Sequence, residues 1–493
     1  MQTMKQILTQ EVEFFTDEVQ PSDVYVEYPA INGSRIFASV DSTHFASFLS
    51  HRYYFLNPDE DELPDYRFFL ERQKNSVIYS GDRKVQIHHR IAGNMADKIY
   101  YTLSNNRSHA VRITSEGWKI CSPRNVKFLA RTTDKEQVAP IGGGNYLDLI
   151  LPRLNMDHDT ALLYAVFLAQ AFSRSSSHYC AVISSDKGTG KSTLTKLTTD
   201  LIEPVTNSCS ITPTTIDHMI TTLANGYIAS FDNTSRLSGN FSDLLCAAIT
   251  GTKATKRKLY TNATPLVLSL HNLVIMNGVD IVPYRSDLAE RSLFFNLQTI
   301  SESKRRTDAD FWGSFNEDKP KILGAIFDTL SKAMAILPTL QMDKLFRMSD
   351  SHREMTAIAV ALGIDQQNFQ DIMRNNRKNL QEAYANTDGF VDFVLSYVAR
   401  NPCRNVPAQK LFLQMMEKIV GSHDFFPKSP SALSRRLKND RETFESLGYS
   451  LDFNKTPTSN TISIQPIASS KRTKAQAEAI ARRNELLKED HDE

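Results

Sequence analysis

Charge of one sign, cysteine pairs and long apolar runs are scarce in this chain, and each absence narrows what it can be. Its 493 residues carry a formal net charge of only +1. No global field draws it to nucleic acid, and any basic surface must be local. The five cysteines, Cys121, Cys180, Cys209, Cys246 and Cys403, are scattered and form no C-x-x-C pair. That argues against a structural zinc site and for reduced core thiols in a cytosolic protein. No apolar run approaches the length of a membrane span, and the N-terminus Met1-Gln-Thr-Met-Lys-Gln6 lacks a signal-peptide core. No membrane partner is expected. Hydrophobic content of 41% and charged content of 23% are those of an ordinary soluble globular protein, and the length allows about three domains.

The most informative stretch is Ser184-Ser-Asp-Lys-Gly-Thr-Gly-Lys-Ser-Thr193. The apolar run Tyr179–Ile183 enters it as a buried strand, and Ser192–Leu201 leaves it as a helix. Glycines at 188 and 190 let backbone N–H groups curl around a phosphate, and the helix N-terminus adds partial positive charge. Asp186, Lys187, Gly188, Thr189, Gly190, Lys191, Ser192 and Thr193 are therefore the expected ATP-binding loop. Lys191 is suited to the β- and γ-phosphates, and Ser192 to Mg²⁺. One glycine is missing: Ser185 stands where G-x-x-x-x-G-K-[ST] begins.

Three features downstream narrow the chemistry. Gly226–Phe231 reads as a buried strand ending in Asp232, placed to hold Mg²⁺ in the Walker B role. The next residue is Asn233, not the usual Glu. Asn can position a water but cannot accept its proton, so the base is unassigned, with Asp243 a weak candidate. A third strand, Leu273–Met276, ends in Asn277, suited to sensing the γ-phosphate. Arg285 and Arg291 then flank Asp287 and Glu290. A guanidinium there can act on a neighbouring subunit's γ-phosphate, with Arg291 ahead of Arg285. Between the second and third strands lie Lys253, Lys256, Arg257, Lys258 and Tyr260, read as a strand–basic turn–strand hairpin that grips DNA phosphates.

The predicted fold class is α/β, in five segments. Residues 1–145 are rich in short alternating runs such as Val24–Tyr28 and Ala110–Thr114, the signature of a β-rich domain. Residues 146–340 alternate strand and helix patterns, with Asp159 as an N-cap. Residues 341–388 read as a helical linker. Residues 389–466 give three helices and a hairpin, the winged-helix order, with Arg435, Arg436 and Lys438 as DNA contacts on a helix opened by Ser429-Pro430. Residues 467–493 are a charged tail. The acidic run Asp59–Glu62 reads as a solvated loop. His88 and His89 point to opposite faces of a strand and do not make a metal site.

The order of loop, acid, basic stretch and Asn resembles superfamily 3 helicases, within one AAA+ core. Residues 110–466 resemble the primase–helicase-type ATPases of phages, prophages and mobile genomic islands. The resemblance rests on Thr114-Ser-Glu-Gly-Trp118, Pro140-Ile-Gly-Gly-Gly144, Phe231-Asp-Asn-Thr-Ser235, Thr250–Tyr260, Asp287-Leu-Ala-Glu-Arg291 and Ser431–Leu437, in addition to the glycine loop. It implies a homo-oligomer, usually a hexameric ring, that hydrolyses ATP at subunit interfaces in a bacterial cytoplasm. It also implies movement on single-stranded and forked DNA, and a replication role beside a separate primase or other replication proteins. No primase signature is evident in residues 1–140, so no primer synthesis is expected. The alternative is a regulatory AAA+ switch in a defence or transposition complex, without unwinding. A small-molecule kinase would leave the basic hairpin and the winged helix unexplained.

Overall fold

In Val24-Tyr-Val-Glu-Tyr28 alternate side chains are buried, and this period of two builds the first sheet. The computed structural model describes residues 2–31, 33–103, 109–123, 125–175, 177–234, 237, 239–257, 265–278, 286–342, 345–387, 389–419, 426–455 and 460–467. After a short helix α1 (Gln2–Gln6) come strands β1 (Glu13–Asp17), β2 (Val24–Pro29) and β3 (Arg35–Ser39). Helices α2 (Thr43–Leu56) and α3 (Arg67–Ser80) follow, and β4 (Lys84–Val85) returns to the sheet, in the order β3-β2-β1-β4. Met4, Leu8, Phe14, Val26, Tyr28, Phe45 and Leu49 form a core of their own.

The β-rich expectation for residues 1–145 needs two corrections. Two helices of 14 residues each lie inside it, and its second half belongs to another core. There, β5 (Ile87–His88) precedes β6 (Ile91–Gly93), β7 (Ile99–Thr102), β8 (Ala110–Thr114) and β9 (Gly117–Cys121), an antiparallel sheet in that order, and β10 (Lys127–Phe128) pairs with β5. Ile91, Ile99, Tyr101, Val111 and Ile113 join the main hydrophobic core, where the Tyr101 ring packs on Phe172 and Phe327. Burial of that face, not position in the chain, assigns these strands to the central unit.

The central unit opens with α4 (Tyr146–Ile150) and α5 (His158–Gln170). The N-cap of α5 is Asp157, not Asp159: its carboxylate accepts from the Thr160 N–H at 3.0 Å. A cap residue needs extended backbone, and Asp157 has it, with φ −63° and ψ 162°. Asp159 lies in the first turn, favoured by the helix dipole. The chain then runs through β11 (Cys180–Ser184), α6 (Lys191–Ile202), β12 (Ser210–Ile211), α7 (Ile216–Ala224), β13 (Ile228–Asp232) and α8 (Gly239–Thr250). A hairpin of β14 (Thr252–Arg257) and β15 (Pro265–Leu270) follows, then β16 (Leu273–Gly278), α9 (Ser286–Ala289) and β17 (Ser292–Asn296). Strands 12, 13, 16, 11 and 17 form one parallel sheet in that order. Their near-continuous apolar runs are those of strands covered on both faces.

Helix α10 (Asp308–Ile336) is the only one among the described residues long and apolar enough to cross a membrane by length and composition. The sequence reading found no such run. Its apolar window is 61% buried inside the fold, where Phe315, Ile322, Leu323, Ile326, Phe327 and Leu330 fill the core. Segment 341–388 is not a linker. In α11 (Ser349–Ala361) and the first half of α12 (Gln366–Thr387), Met355, Ile358, Phe369, Ile372 and Met373 belong to the same core. Asn376 of α12 also caps the sheet edge: it accepts from Phe294 N at 3.0 Å and donates to Phe294 O at 2.6 Å, copying a strand partner for β17.

The last unit comprises α13 (Gly389–Arg400), β18 (Cys403–Pro407), α14 (Ala408–Met416), α15 (Pro430–Asn439), α16 (Arg441–Ser446), β19 (Tyr449–Lys455) and β20 (Asn460–Pro466). Its sheet has the order β18-β20-β19, and Phe390, Val394, Leu411, Leu433, Leu437, Leu451 and Ile464 form a separate core. Ser429 caps α15 through Ala432 N at 3.2 Å, with Pro430 in its first turn. The expected tail from 468 onward lies outside the described residues.

Candidate functional site

In an open parallel sheet, a crevice forms at the carboxyl ends of the strands where the strand order reverses. Here β11 lies between β16 and β17, and the loop that follows it lies at such a point. Gly188 and Gly190 adopt φ of +77° and +92°, the left-handed backbone that a tight loop requires. Gly190 is the N-cap of α6 and supplies no side chain to the first turn, so backbone N–H groups there are left for an outside acceptor. Ser185 keeps the loop closed without a glycine. Among the described non-glycine residues only Asn233 and Asn405 have positive φ, so position 185 needs no left-handed backbone. Its hydroxyl instead bonds Thr189 Oγ1 at 2.5 Å.

Lys191 Nζ donates to the carbonyls of Ser185 (2.7 Å) and Asp186 (2.5 Å), folded over the loop mouth. Asp186, Lys187 and Gly188 are exposed, Thr189 is buried, and Ser192 and Thr193 are half-buried. Ser192 Oγ donates to Asp232 Oδ1 at 3.0 Å. The loop and the end of β13, 40 residues apart in sequence, thus meet through the two groups assigned to the metal. Both are hard oxygen donors, which suits Mg²⁺.

Asn233 has φ +51°, a conformation that Asn tolerates and Glu does not favour. Its N–H donates to Asp232 Oδ1 (3.0 Å) and to Asn277 Oδ1 (3.1 Å). Asn277 is 1% exposed, and its Nδ2 donates to Thr195 Oγ1 at 2.9 Å. The expected sensor is therefore spent on joining α6 to the corner after β13. Thr195 was missed by sequence reading. The only signal was its place one helical turn after Lys191, whose carbonyl accepts a hydrogen bond from the Thr195 hydroxyl at 3.1 Å.

Arg291 lies at the other end of the sheet. Strand β17 pairs with β11 from Cys180↔Ser292 to Ser184↔Asn296, so about 13 Å of strand separates Arg291 from the start of its own loop. Arg291 pairs with Asp287 Oδ1 at 2.6 Å, and Asp287 also pairs with Arg347 at 2.5 Å. Burial would raise the Asp287 carboxyl; hydrogen bonds from Arg291 and Cys246 and the nearby guanidinium charges hold it below the ordinary carboxylate range. Arg347 had no sequence signal because it lies far along the chain from the motif. Arg285 lies outside the described residues.

Lys253, Lys256 and Arg257 fall in β14 itself, paired with Ser269, Leu266 and Pro265, where the sequence reading put them in a turn. Lys258 lies outside the described residues. On α15, Arg435 and Lys438 are exposed. Arg436 is not an open contact: it pairs with buried Asp440 at 2.5 Å and lies over the Phe390 ring.

Two further motif segments meet away from the loop. Trp118 Nε1 and the Gly143 N–H both donate to Asp328 of α10, at 2.8 and 3.0 Å. They fix the glycine strap 140–144 against the core.

Residues 148–372 match the family model of the actinomycete integrative conjugative element replication protein. Over that span the chain is similar to a mobile-element replication protein. The match runs from α4 into α12, the extent of the central core rather than of the segment 146–340. Curated proteins give no match. Similar solved structures include the apo C-terminal region of NrS-1, at 12% identity and a TM-score of 0.41, over 94% of this chain and 99% of that chain. A further structure of that region has 13% identity and a TM-score of 0.39 over the same shares. JCV helicase with a bound acetamide compound has 10% identity and a TM-score of 0.26, over 48% of this chain and 65% of that one.

Proposed function

We propose that the central unit is a superfamily 3-like AAA+ ATPase core that binds Mg-ATP and drives replication of a mobile element, as a helicase or replication initiator on DNA. The observation that carries this reading is the junction of the glycine loop with β13. Lys191 lies on the loop carbonyls, and Ser192 meets Asp232 at 3.0 Å. Bound Mg²⁺ would neutralise charge on the β- and γ-phosphates. Lys191 would leave the loop carbonyls for the same phosphates, and the N–H groups of the first turn of α6 would hold them. Asn277 and Thr195 would fix the distance between α6 and the Asp232 corner.

The strand order 12-13-16-11-17 supports the AAA+ reading. The position of Arg291, remote from its own loop, supports a site completed by a second copy, and hence a ring. Lys253, Lys256 and Arg257 on the β14–β15 hairpin supply cations for a DNA strand, and Arg435 and Lys438 do so on a winged helix. The similarity of residues 148–372 to a mobile-element replication protein supports the cellular role.

The test is steady-state ATP hydrolysis with and without single-stranded DNA. Stimulation by the strand, abolished by Lys191→Ala, is expected; turnover unchanged in Lys191→Ala would overturn the site. One observation favours a second reading, a regulatory switch. The corner after Asp232 carries Asn233 in a left-handed turn, an amide where the usual Glu would take a proton. Slow turnover indifferent to DNA would select that reading.

A further inference from the structure

Arg291 cannot act on a neighbouring copy while it stays where it is. It is 15% exposed at its side chain and bound twice to its own turn: to Asp287 Oδ1 at 2.6 Å and, through Nη1, to the Asp287 carbonyl at 2.8 Å. To reach another subunit's phosphates it must leave a carboxylate behind. The Asp287 side chain is 45% exposed, so water takes part of the partner's place and the loss is modest.

The structure supplies a replacement. Arg347, on the segment before α11, puts Nη2 on the same Asp287 oxygen at 2.5 Å, while its Nη1 bonds Glu290 Oε2. Two guanidiniums thus share one carboxylate, and one of them is anchored independently by Glu290. The Cys246 thiol, on the helix that leads into the basic hairpin, lies beside Asp287. The groups that face Asp287 are therefore Arg291, Arg347 and Cys246, with Glu290 on the far side of Arg347.

We propose that Asp287 is a latch that holds Arg291 folded back, and that Arg347 is the positioning residue that keeps Asp287 paired when Arg291 swings out to the neighbouring copy's nucleotide. This rests on the reading of Arg291 as a trans-acting group. Without Arg347, release of Arg291 would leave the carboxylate with water alone, so the latched position would be favoured. Because two cations on one oxygen repel each other, Arg347 also weakens the latch in the resting state.

The experiment measures ATP turnover and ATP affinity of the full chain in four variants. Arg347→Met is expected to lower kcat by about two- to fivefold, the worth of a partly exposed ion pair, with KM for ATP within about 1.5-fold. Arg347→Met combined with Asp287→Asn is expected to recover most of that loss, because the charge that holds Arg291 is gone. Arg347→Lys keeps a cation beside Asp287 and is expected to stay near the parent, which keeps the test open if Arg347→Met does not fold. Parental kcat in Arg347→Met, or a loss not relieved by Asp287→Asn, would overturn the latch. Arg291→Ala separates the two layers. If it turns over like the parent, the trans role fails and the latch with it. If it is inactive while Arg347→Met is parental, only the latch fails.

Discussion

Asn277→Ala would leave the Thr195 hydroxyl and the Asn233 N–H each short of one partner in a buried corner. The side chain is 1% exposed and bridges α6 to the end of β13. Loss of such a bridge costs about 1–3 kcal/mol of stability, readable as a lower midpoint in urea unfolding. Its larger expected effect is on chemistry: kcat should fall more than ATP affinity, because the phosphates are held by the loop and only the corner moves. Equal losses in both would make Asn277 a mere prop. The neighbouring Asn233 shows why one residue type stands where another was anticipated. At φ +51° an Asn is tolerated and a Glu is strained, so backbone shape, not catalysis alone, selects it. Ser185 shows the converse: the glycine of the usual motif is absent because the loop is closed there by a hydroxyl pair with Thr189.

Among elements, α10 carries the closest approach. A Cβ at Gly324 would lie 1.9 Å from the Ile141 carbonyl oxygen, and Ile141 N donates to Pro320 O at 2.8 Å. The strap 140–144 and the helix are therefore in backbone contact, and neither is free to shift, because Asp328 pins the strap again one helical turn further on. Gly324→Ala should lower stability by roughly 3 kcal/mol, the upper end of the usual overpacking range because the contact is with backbone. Calorimetry would report it as a fall in Tm. A parental Tm would mean that the strap is held elsewhere. The edge strand β17 is closed by a side chain in place of a strand: Asn376 satisfies both backbone groups of Phe294. This ties the strand that follows Arg291 to the helix that leads into the last unit.

At the scale of the whole molecule, charge is buried at the end of the sheet remote from the glycine loop. Glu354 of α11 accepts from Gln170 Nε2 at 3.1 Å and Ser173 Oγ at 3.4 Å, and burial pushes its carboxyl up to about 7. A folded value above the unfolded one adds stability below about pH 4.5, lost as pH rises through about 7. Glu354→Gln should remove that dependence. Relative to the variant, the parent should lose about 3 kcal/mol at most between pH 4.5 and 8, seen in unfolding midpoints. A constant difference would show that Glu354 titrates as an ordinary carboxyl. The imidazoles of half-buried His271 and buried His352, lowered by desolvation to about 4, act in the opposite sense: their stability is present above about pH 6.5 and lost as pH falls to about 4. Assembly has its own test. Arg291→Ala and Lys191→Ala subunits, each inactive alone, should recover part of the ATP turnover when mixed. Some mixed interfaces then hold an intact loop and an intact Arg291. No recovery at any ratio would argue against a shared site.

The glycine loop, the acid at the end of β13 and the Asn at the end of β16 were legible in the sequence because each is a local pattern: a strand, its tip residue and a turn within ten residues; the basic residues of β14 were legible as a hairpin but not as a strand. Such patterns need only backbone geometry and residue type. The extent of the units was not legible. Strands 6 to 9 and helices 11 and 12 carry alternations and stripes that fit any core, and only packing shows which face meets which. The pairing of Arg347 with Asp287, the meeting of Trp118 and Gly143 on Asp328, and the bond of Asn277 to Thr195 join residues far apart in the chain, 82 positions for Asn277 and Thr195 and 210 for Trp118 and Asp328. Only the folded chain decides such contacts, because a side chain's partner is fixed by distance in space and by exclusion of water, neither of which is written in the order of residues.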